Sequence, residues 1–445
     1  MPVYEEKLSA KDRALCHELT LGVLRKQIYL DAIVAKLTGK KTEKFDLPVL
    51  LALRIGLYQI LFTDKIPAYS AINESVNLVH RAKKRSAAGM VNAILRRAPR
   101  EKIELEFTDE IEKISIETSH PPLLIEKWVE QFGFEEAEKL AVANNETPHL
   151  VFRLTEKSDE KTLEILQKIG LSVTESSIVS GAYKVSGSNE ILRLYADEGK
   201  IYFQDEGSQM VTSAVNLKQG ENFLDVCAAP GSKTTLISSK FKVQSQSNAE
   251  YGMRNAELET ENQRPKIENQ SKNPQSAIRN PHLIVAGDFY EYRVKILRDN
   301  CRKQGANSVQ IVRYDAENSL PFADVSFDVA LVDAPCSGTG TIRHNPEIRY
   351  FLQKEDFAAL GRKQLKILKN ASKIIKRGGR IIYSTCSLER EENEAVSENF
   401  LIENAEFQKV LPEVPKRFLT EKGFARTLPG RDRMDGFFIA VFERK

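Results

Sequence analysis

Residues 222–235 read Asn-Phe-Leu-Asp-Val-Cys-Ala-Ala-Pro-Gly-Ser-Lys-Thr-Thr, and they decide the fold. Phe223-Leu224-Asp225-Val226 is a short apolar run of the kind that makes a buried strand. Ala228, Ala229 and Gly231 then let the backbone approach a ligand, and Thr234 and Thr235 open a helix whose N-terminal amides can face it. A phosphate-binding P-loop is excluded. It needs Gly immediately before Lys and another Gly five positions earlier. Here Ser232 separates Gly231 from Lys233, and Val226 lies five positions before Gly231. A Gly-x-Gly-x-x-Gly fingerprint is also absent.

Outward from this turn, apolar strand runs alternate with helical stretches. Leu283–Ala286 precedes a helix at 291–304, Ser308–Val312 precedes a loop, Asp328–Val332 precedes a helix at 355–375, and Arg380–Tyr383 precedes a helix near 391–402. This alternation predicts a parallel, doubly wound α/β sheet, a Rossmann-like domain over 216–445, with Gly436–Phe442 as an edge strand. Acids recur at the strand ends: Asp225, Asp288, Asp315 and Asp333. Such acids often cap turns. Four of them at corresponding strand ends outline a ligand crevice, in which an acid after the second strand suits ribose hydroxyls.

The first hundred residues have helical spacing only, as in Leu15, Leu19 and Val23 and in Leu50, Leu53 and Leu57, with Pro48 and Ile66-Pro67 as punctuation. Residues 1–110 are therefore expected to form an all-α domain. Residues 111–215 mix helical runs with β-like pieces such as Leu150–Leu154 and are expected to form a small α+β module. Residues 241–281 are rich in Gln, Asn, Ser and Glu and read as a flexible surface insertion without a part in the chemistry.

With 65 Lys and Arg against 62 Asp and Glu, no global field announces a nucleic-acid partner. Local patches do the work instead: His80-Arg81 with Lys83-Lys84-Arg85, and Arg96-Arg97. A charge run at a helix end is usually a solvated face, but two on one small domain make phosphate contact an expectation. Cys16, Cys227, Cys301, Cys336 and Cys386 are odd in number and lack paired spacing, so neither a disulfide framework nor a zinc site is expected. Nothing like a signal peptide or an 18-residue apolar span is seen, which points to a cytoplasmic protein.

Two of these cysteines end core strands among small polar residues, in Asp333-Ala-Pro-Cys336-Ser-Gly-Thr-Gly340 and Ser384-Thr-Cys386-Ser387. A buried Cys is ordinarily a small hydrophobe, a reading that suits Cys16 and Cys301. It fits poorly where Gly, Pro, Ser and Thr flank a strand end that faces a cleft.

These two motifs, with Cys227-Ala-Ala-Pro-Gly-Ser-Lys-Thr234, resemble the RNA 5-methylcytosine methyltransferase family. Ile66-Pro67, Asn73–Val76 and Ala87–Arg97 resemble the NusB-like domain of the Sun/RsmB-type 16S rRNA methyltransferases. The resemblance implies an S-adenosylmethionine-dependent enzyme that methylates carbon 5 of a cytosine in 16S rRNA, working as a monomer without metal or membrane. It implies that Cys386 attacks carbon 6 of the base and that Cys336 helps release the enzyme. It places Cys227, Ala228, Ala229, Pro230, Gly231, Ser232 and Lys233 at the methionine part of the cofactor. Asp288 falls at the ribose, Asp315 near the adenine, and Asp333 between cofactor and base. Ser232 departs from the family's usual Gly and predicts a slightly altered loop.

The chemistry calls for such equipment. Carbon 5 of cytosine is a weak nucleophile until a thiolate adds at carbon 6, and an acid such as Asp333 must draw electrons through the ring nitrogen. The residues alone leave open which cysteine attacks. Lys83, Lys84, Arg85, Arg96 and Arg97 are expected at RNA phosphates, and Arg343, beside His344 and Asn345, at a nucleotide flipped from its stack. Two alternatives remain, a tRNA substrate or a non-catalytic NusB-like RNA-binding factor.

Overall fold

The computed structural model describes residues 8–159, 161–187, 190–240 and 283–445. The expected insertion at 241–281 therefore lies outside the described residues. Contacts divide the chain into two compact units. One comprises 1–147, 341–354 and 429–433; the other comprises 148–340, 355–428 and 434–445.

The first unit is helical. Ser9 caps Ala10–Arg25 by accepting from the Asp12 amide, and Pro48 opens Leu47–Phe62, where its missing N–H costs nothing. Leu30 and Val34, Leu53 and Leu57, and Val91 and Leu95 are pairs four residues apart, all essentially inaccessible to solvent. Each full burial of such a side chain is worth about 1.5–3 kcal/mol. Arg54 grips Asp31 with two hydrogen bonds of 2.7 and 2.6 Å.

Helices Glu110–Thr118, Pro122–Phe132 and Phe134–Ala143 group with this unit, whereas the sequence pattern assigned them to the mixed module. Residues 341–354 join them through Arg349. Its guanidinium is fully buried and donates to the carbonyls of Thr118, Ser119 and Asn144 and to Asn145 Oδ1 at 3.0–3.3 Å. No periodicity signals a contact of that kind.

The second unit contains two sheets. Strands β1 (Leu150–Leu154), β2 (Ser172–Glu175), β3 (Ala182–Ser186) and β4 (Ile201–Phe203) form a small antiparallel sheet in the order β2-β3-β1-β4. Then follow β5 (Phe223–Asp225), β6 (Ile284–Asp288), β7 (Gln310–Arg313), β8 (Phe327–Asp333), β9 (Ile375–Thr385), β10 (Phe407–Val410), β11 (Ala425–Arg426) and β12 (Phe438–Arg444). Their main order is β10-β12-β9-β8-β5-β6-β7, parallel from β9 to β7. The expected Rossmann-like parallel core is present, with helices such as Glu291–Gln304 and Lys354–Lys373 as crossovers. The C-terminal strand differs from expectation. β12 lies between β9 and β10, antiparallel to both, rather than at the edge. The four-residue β10 takes the edge, and its half-polar Phe-Gln-Lys-Val has no apolar run to announce it.

β6 and β8 flank β5, so the strand order reverses there. In such sheets ligands bind at this reversal, beyond the carboxyl ends of the strands.

Candidate active site

The turn after β5 closes over the reversal point. Gly231 has φ +101°, and a Cβ there would stand 2.8 Å from Leu297 Cδ1, so only glycine fits. Ser232 starts the helix at 232–240 without positive φ, which explains why it can replace a glycine. Thr234 Oγ1 donates to Asp225 Oδ2 at 2.7 Å, and Thr235 Oγ1 to the Gly231 carbonyl at 2.7 Å. Asp225 is buried, and desolvation raises its carboxyl to about 7 against the hydrogen bond from Thr234.

The strand-end acids have different partners. Asp288 accepts from the amides of Ala229 and Phe289 at 3.2 and 2.9 Å, and from Arg293 Nε at 3.1 Å. Asp315 accepts from the Glu317 amide and from Asn318 Nδ2, both at 2.9 Å, an Asx-turn beside the same cleft. Asp333 accepts from Lys233 Nζ at 2.6 Å and from Ser384 Oγ at 2.7 Å. Burial pulls the Lys233 ammonium down, but Asp333 outweighs it, and Lys233 ends raised. Cys386 adds to its rise, so this cation lies within electrostatic reach of that sulfur.

Strand register brings the thiols together. Asp333 on β8 pairs with Ser384 on β9, and each chain then runs two or three residues to its cysteine. Cys336 Sγ and Cys386 Sγ are 3.2 Å apart. Gly340 makes that approach possible. Its amide donates to the Cys386 carbonyl at 2.8 Å, and a Cβ on it would lie 2.1 Å from the Gly436 carbonyl. Its hydrogen bond with Cys386, then burial, drives the Cys336 thiol well above the ordinary cysteine range, so Cys336 keeps its proton at neutral pH. Both sulfurs border a cleft of about 340 Å³ that Asp288, Asp315, Asp333, Phe289 and Tyr290 also line. That size suits a nucleoside-bearing ligand. A wider hollow of about 650 Å³, lined by Lys366, Lys369, Glu403 and Arg444, contains neither thiol.

The donor set fits S-adenosylmethionine. It offers a glycine cradle, a carboxylate after β6 for vicinal hydroxyls, and acids near a sulfonium cation.

Three contributors escaped the sequence reading. Arg153 on β1, Arg293 and Glu392 are buried or half-buried around the site, and none belongs to a strand-end motif. Cys301 and Cys16 lie outside the cleft, and Cys301 is buried.

The expected RNA residues in the helical unit are spread unevenly. Lys83, Arg85, Arg96 and Arg97 are exposed, and Lys84 pairs with Asp46 at 2.7 Å. Arg97 is held by Glu101 and by the Leu37 carbonyl, each at 2.6 Å. Arg343 is 6% exposed, a value close to the 7% of Asp288 and of Lys233.

A relative in Bacillus subtilis, a probable ribosomal RNA small subunit methyltransferase B, is 30% identical over 455 residues, covering 100% of this chain and 93% of its own. The chain belongs to the RsmB/F family of 16S rRNA methyltransferases. The family model for 16S rRNA methyltransferase RsmB/F matches residues 275–443, and that of the NusB family matches 3–100. The Escherichia coli ribosomal RNA small subunit methyltransferase B is 28% identical, covering 100% of this chain and 94% of its own. Among solved structures, PH0851 superposes with a TM-score of 0.78 at 24% identity, covering 98% of this chain and 91% of its own. NSun6 from Pyrococcus horikoshii, solved with the S-adenosylmethionine analogue SFG, gives 0.58 at 20%, covering 73% and 98%. At these identities the two structures speak for the fold. As an RsmB/F protein the chain is an S-adenosylmethionine-dependent rRNA methyltransferase. Among the described residues, no helix is long and apolar enough to cross a membrane.

Proposed function

We propose that this RsmB/F protein methylates carbon 5 of one cytosine in 16S rRNA through a covalent bond between Cys386 and carbon 6 of the base. The observation that carries the reading is the pair of thiols, 3.2 Å apart at the ends of two neighbouring parallel strands, bordering the cleft of the strand-end acids.

S-adenosylmethionine, when bound, supplies an electrophilic methyl group on its sulfonium. Asp288 is suited to hold the ribose, Asp315 to stand near the adenine, and the loop Cys227–Lys233 to hold the methionine end. Kinship with the RNA 5-methylcytosine methyltransferases supports Cys386 as the attacking thiol, and the Lys233 ammonium lies within electrostatic reach of its sulfur. Cys386 attacks carbon 6, forming the S–C bond and moving the ring electrons towards the amidine nitrogens. A proton or hydrogen bond delivered at the Asp333–Lys233 pair meets the ring nitrogen where that charge collects. Carbon 5, now enamine-like, takes the methyl group. A base then removes the carbon 5 proton, the S–C bond breaks and the aromatic ring returns; Cys336 serves this release. The exposed cations Lys83, Arg85 and Arg96 engage RNA phosphates, and the enzyme acts in the cytoplasm where ribosomes assemble.

Bisulfite sequencing of total RNA from a deletion strain tests this. One 16S cytosine is expected to lose its methyl group, to regain it with the wild-type gene, and not to regain it with Cys386→Ser. Loss from a tRNA with 16S rRNA unchanged would move the substrate to tRNA.

A further inference from the structure

The Glu392 carboxylate is wholly buried, and its hydrogen-bond donors are all neutral. Burying a carboxylate is unfavourable unless its lone pairs are filled, and here they are filled from both thiol loops. Glu392 Oε2 accepts from the Ser337 amide and from Gln364 Nε2, both at 2.9 Å. Oε1 accepts from Ser337 Oγ at 2.5 Å and Ser387 Oγ at 2.7 Å. Ser337 follows Cys336 and Ser387 follows Cys386. Gln364 also donates to the Pro335 carbonyl at 2.9 Å, so the Cys336 loop is fastened on both sides of the thiol. The Glu392 carbonyl accepts from Tyr383 OH at 2.5 Å, which anchors the acid to β9.

We propose that Glu392 is a positioning residue that sets the distance between Cys336 and Cys386 by tying their two loops to one carboxylate. The assignment deepens the two-thiol reading and rests on it. Handing the base from addition to release requires both sulfurs near the same carbon–carbon bond. Misplacement by about 1 Å costs on the order of 10²-fold in rate. Glu392→Ala removes all four acceptor contacts. Glu392→Gln is the conservative control, since its oxygen can face the Ser337 amide and Gln364 while its NH₂ meets the two serine hydroxyls, which can accept.

The test reads thiol separation directly. Diamide, a diazene, takes two electrons and two protons from a close thiol pair, becoming the hydrazine and leaving a Cys336–Cys386 disulfide that peptide mass spectrometry quantifies. Full-length wild type and Glu392→Gln are expected to crosslink fast, and Glu392→Ala at least about tenfold more slowly. In Glu392→Ala the kcat of methyl transfer should fall on the order of 10²-fold while KM for RNA and S-adenosylmethionine affinity stay within about threefold. Crosslinking at the wild-type rate in a Glu392→Ala protein that still binds S-adenosylmethionine would overturn the proposal. If Glu392→Ala fails to fold, Ser387→Ala decides, since it removes one tie only; a wild-type crosslinking rate there would also overturn it. Slowed crosslinking supports the positioning role even if the bisulfite experiment moves the methylated base, so the two readings fail separately.

Discussion

Arg153 Nη2 donates to the Ser232 carbonyl across 3.0 Å, joining the small antiparallel sheet to the cofactor turn. The same nitrogen reaches Thr235 Oγ1 and Gln304 Oε1, while Nε reaches Gln204 Oε1. Burial lowers the guanidinium to about 10, and all these partners are neutral.

Arg153→Met should therefore leave several buried acceptors unfilled and lower stability by about 2–4 kcal/mol in urea unfolding. S-adenosylmethionine binding should weaken with it by calorimetry. Arg153→Lys should rescue little, because an ammonium cannot replace a planar fork. Wild-type stability in Arg153→Met would remove this tie from the account.

Asp288→Asn should weaken S-adenosylmethionine binding by about 10–100-fold, the loss of one hydrogen bond to a charged acceptor at about 1.5–3 kcal/mol. Arg293 makes this more than a ribose question. It donates to Asp288 and, at 2.7 Å, to the Ala229 carbonyl, so the acid also shapes the turn. Unchanged affinity by calorimetry would take Asp288 out of the cofactor site.

Much of this was legible in the chain because the signals are local. Phe223–Asp225 and Gly231 announce a strand and a tight turn within a few residues, and Cys336 and Cys386 stand inside short motifs. Glu392 was not legible. In Leu-Glu-Arg-Glu-Glu-Asn-Glu it reads as one acid of a solvated helix start, and only the fold selects it for burial. Arg153 lies 79 residues from Ser232, and no spacing rule connects them.

Asp225 should make stability depend on pH. Its folded-state carboxyl sits near 7, mainly through desolvation, whereas an unfolded Asp titrates near ~3.9. Between these values the folded state binds more protons. The contribution is therefore complete below about pH 4 and is lost as pH rises through about 7. Asp225→Asn should flatten that decline, read as urea midpoints at several pH values. A parallel decline in the variant would contradict the assignment.

Replacing Lys83, Lys84 and Arg85 together by Ala should weaken 16S rRNA binding and reduce the slope of log K against log salt by about 2, at roughly 0.7–0.9 per phosphate contact. Arg97→Ala should matter less, because Glu101 and the Leu37 carbonyl already hold it. Filter binding over a salt series reads both. An unchanged slope in the triple variant would exclude this patch.

The division of labour between the two thiols is the central claim, and trapping the protein–RNA adduct tests it most directly. With S-adenosylmethionine and substrate RNA, denaturing electrophoresis should show no adduct for Cys386→Ala and an accumulating one for Cys336→Ala. An adduct that persists without Cys386 and disappears without Cys336 would contradict it.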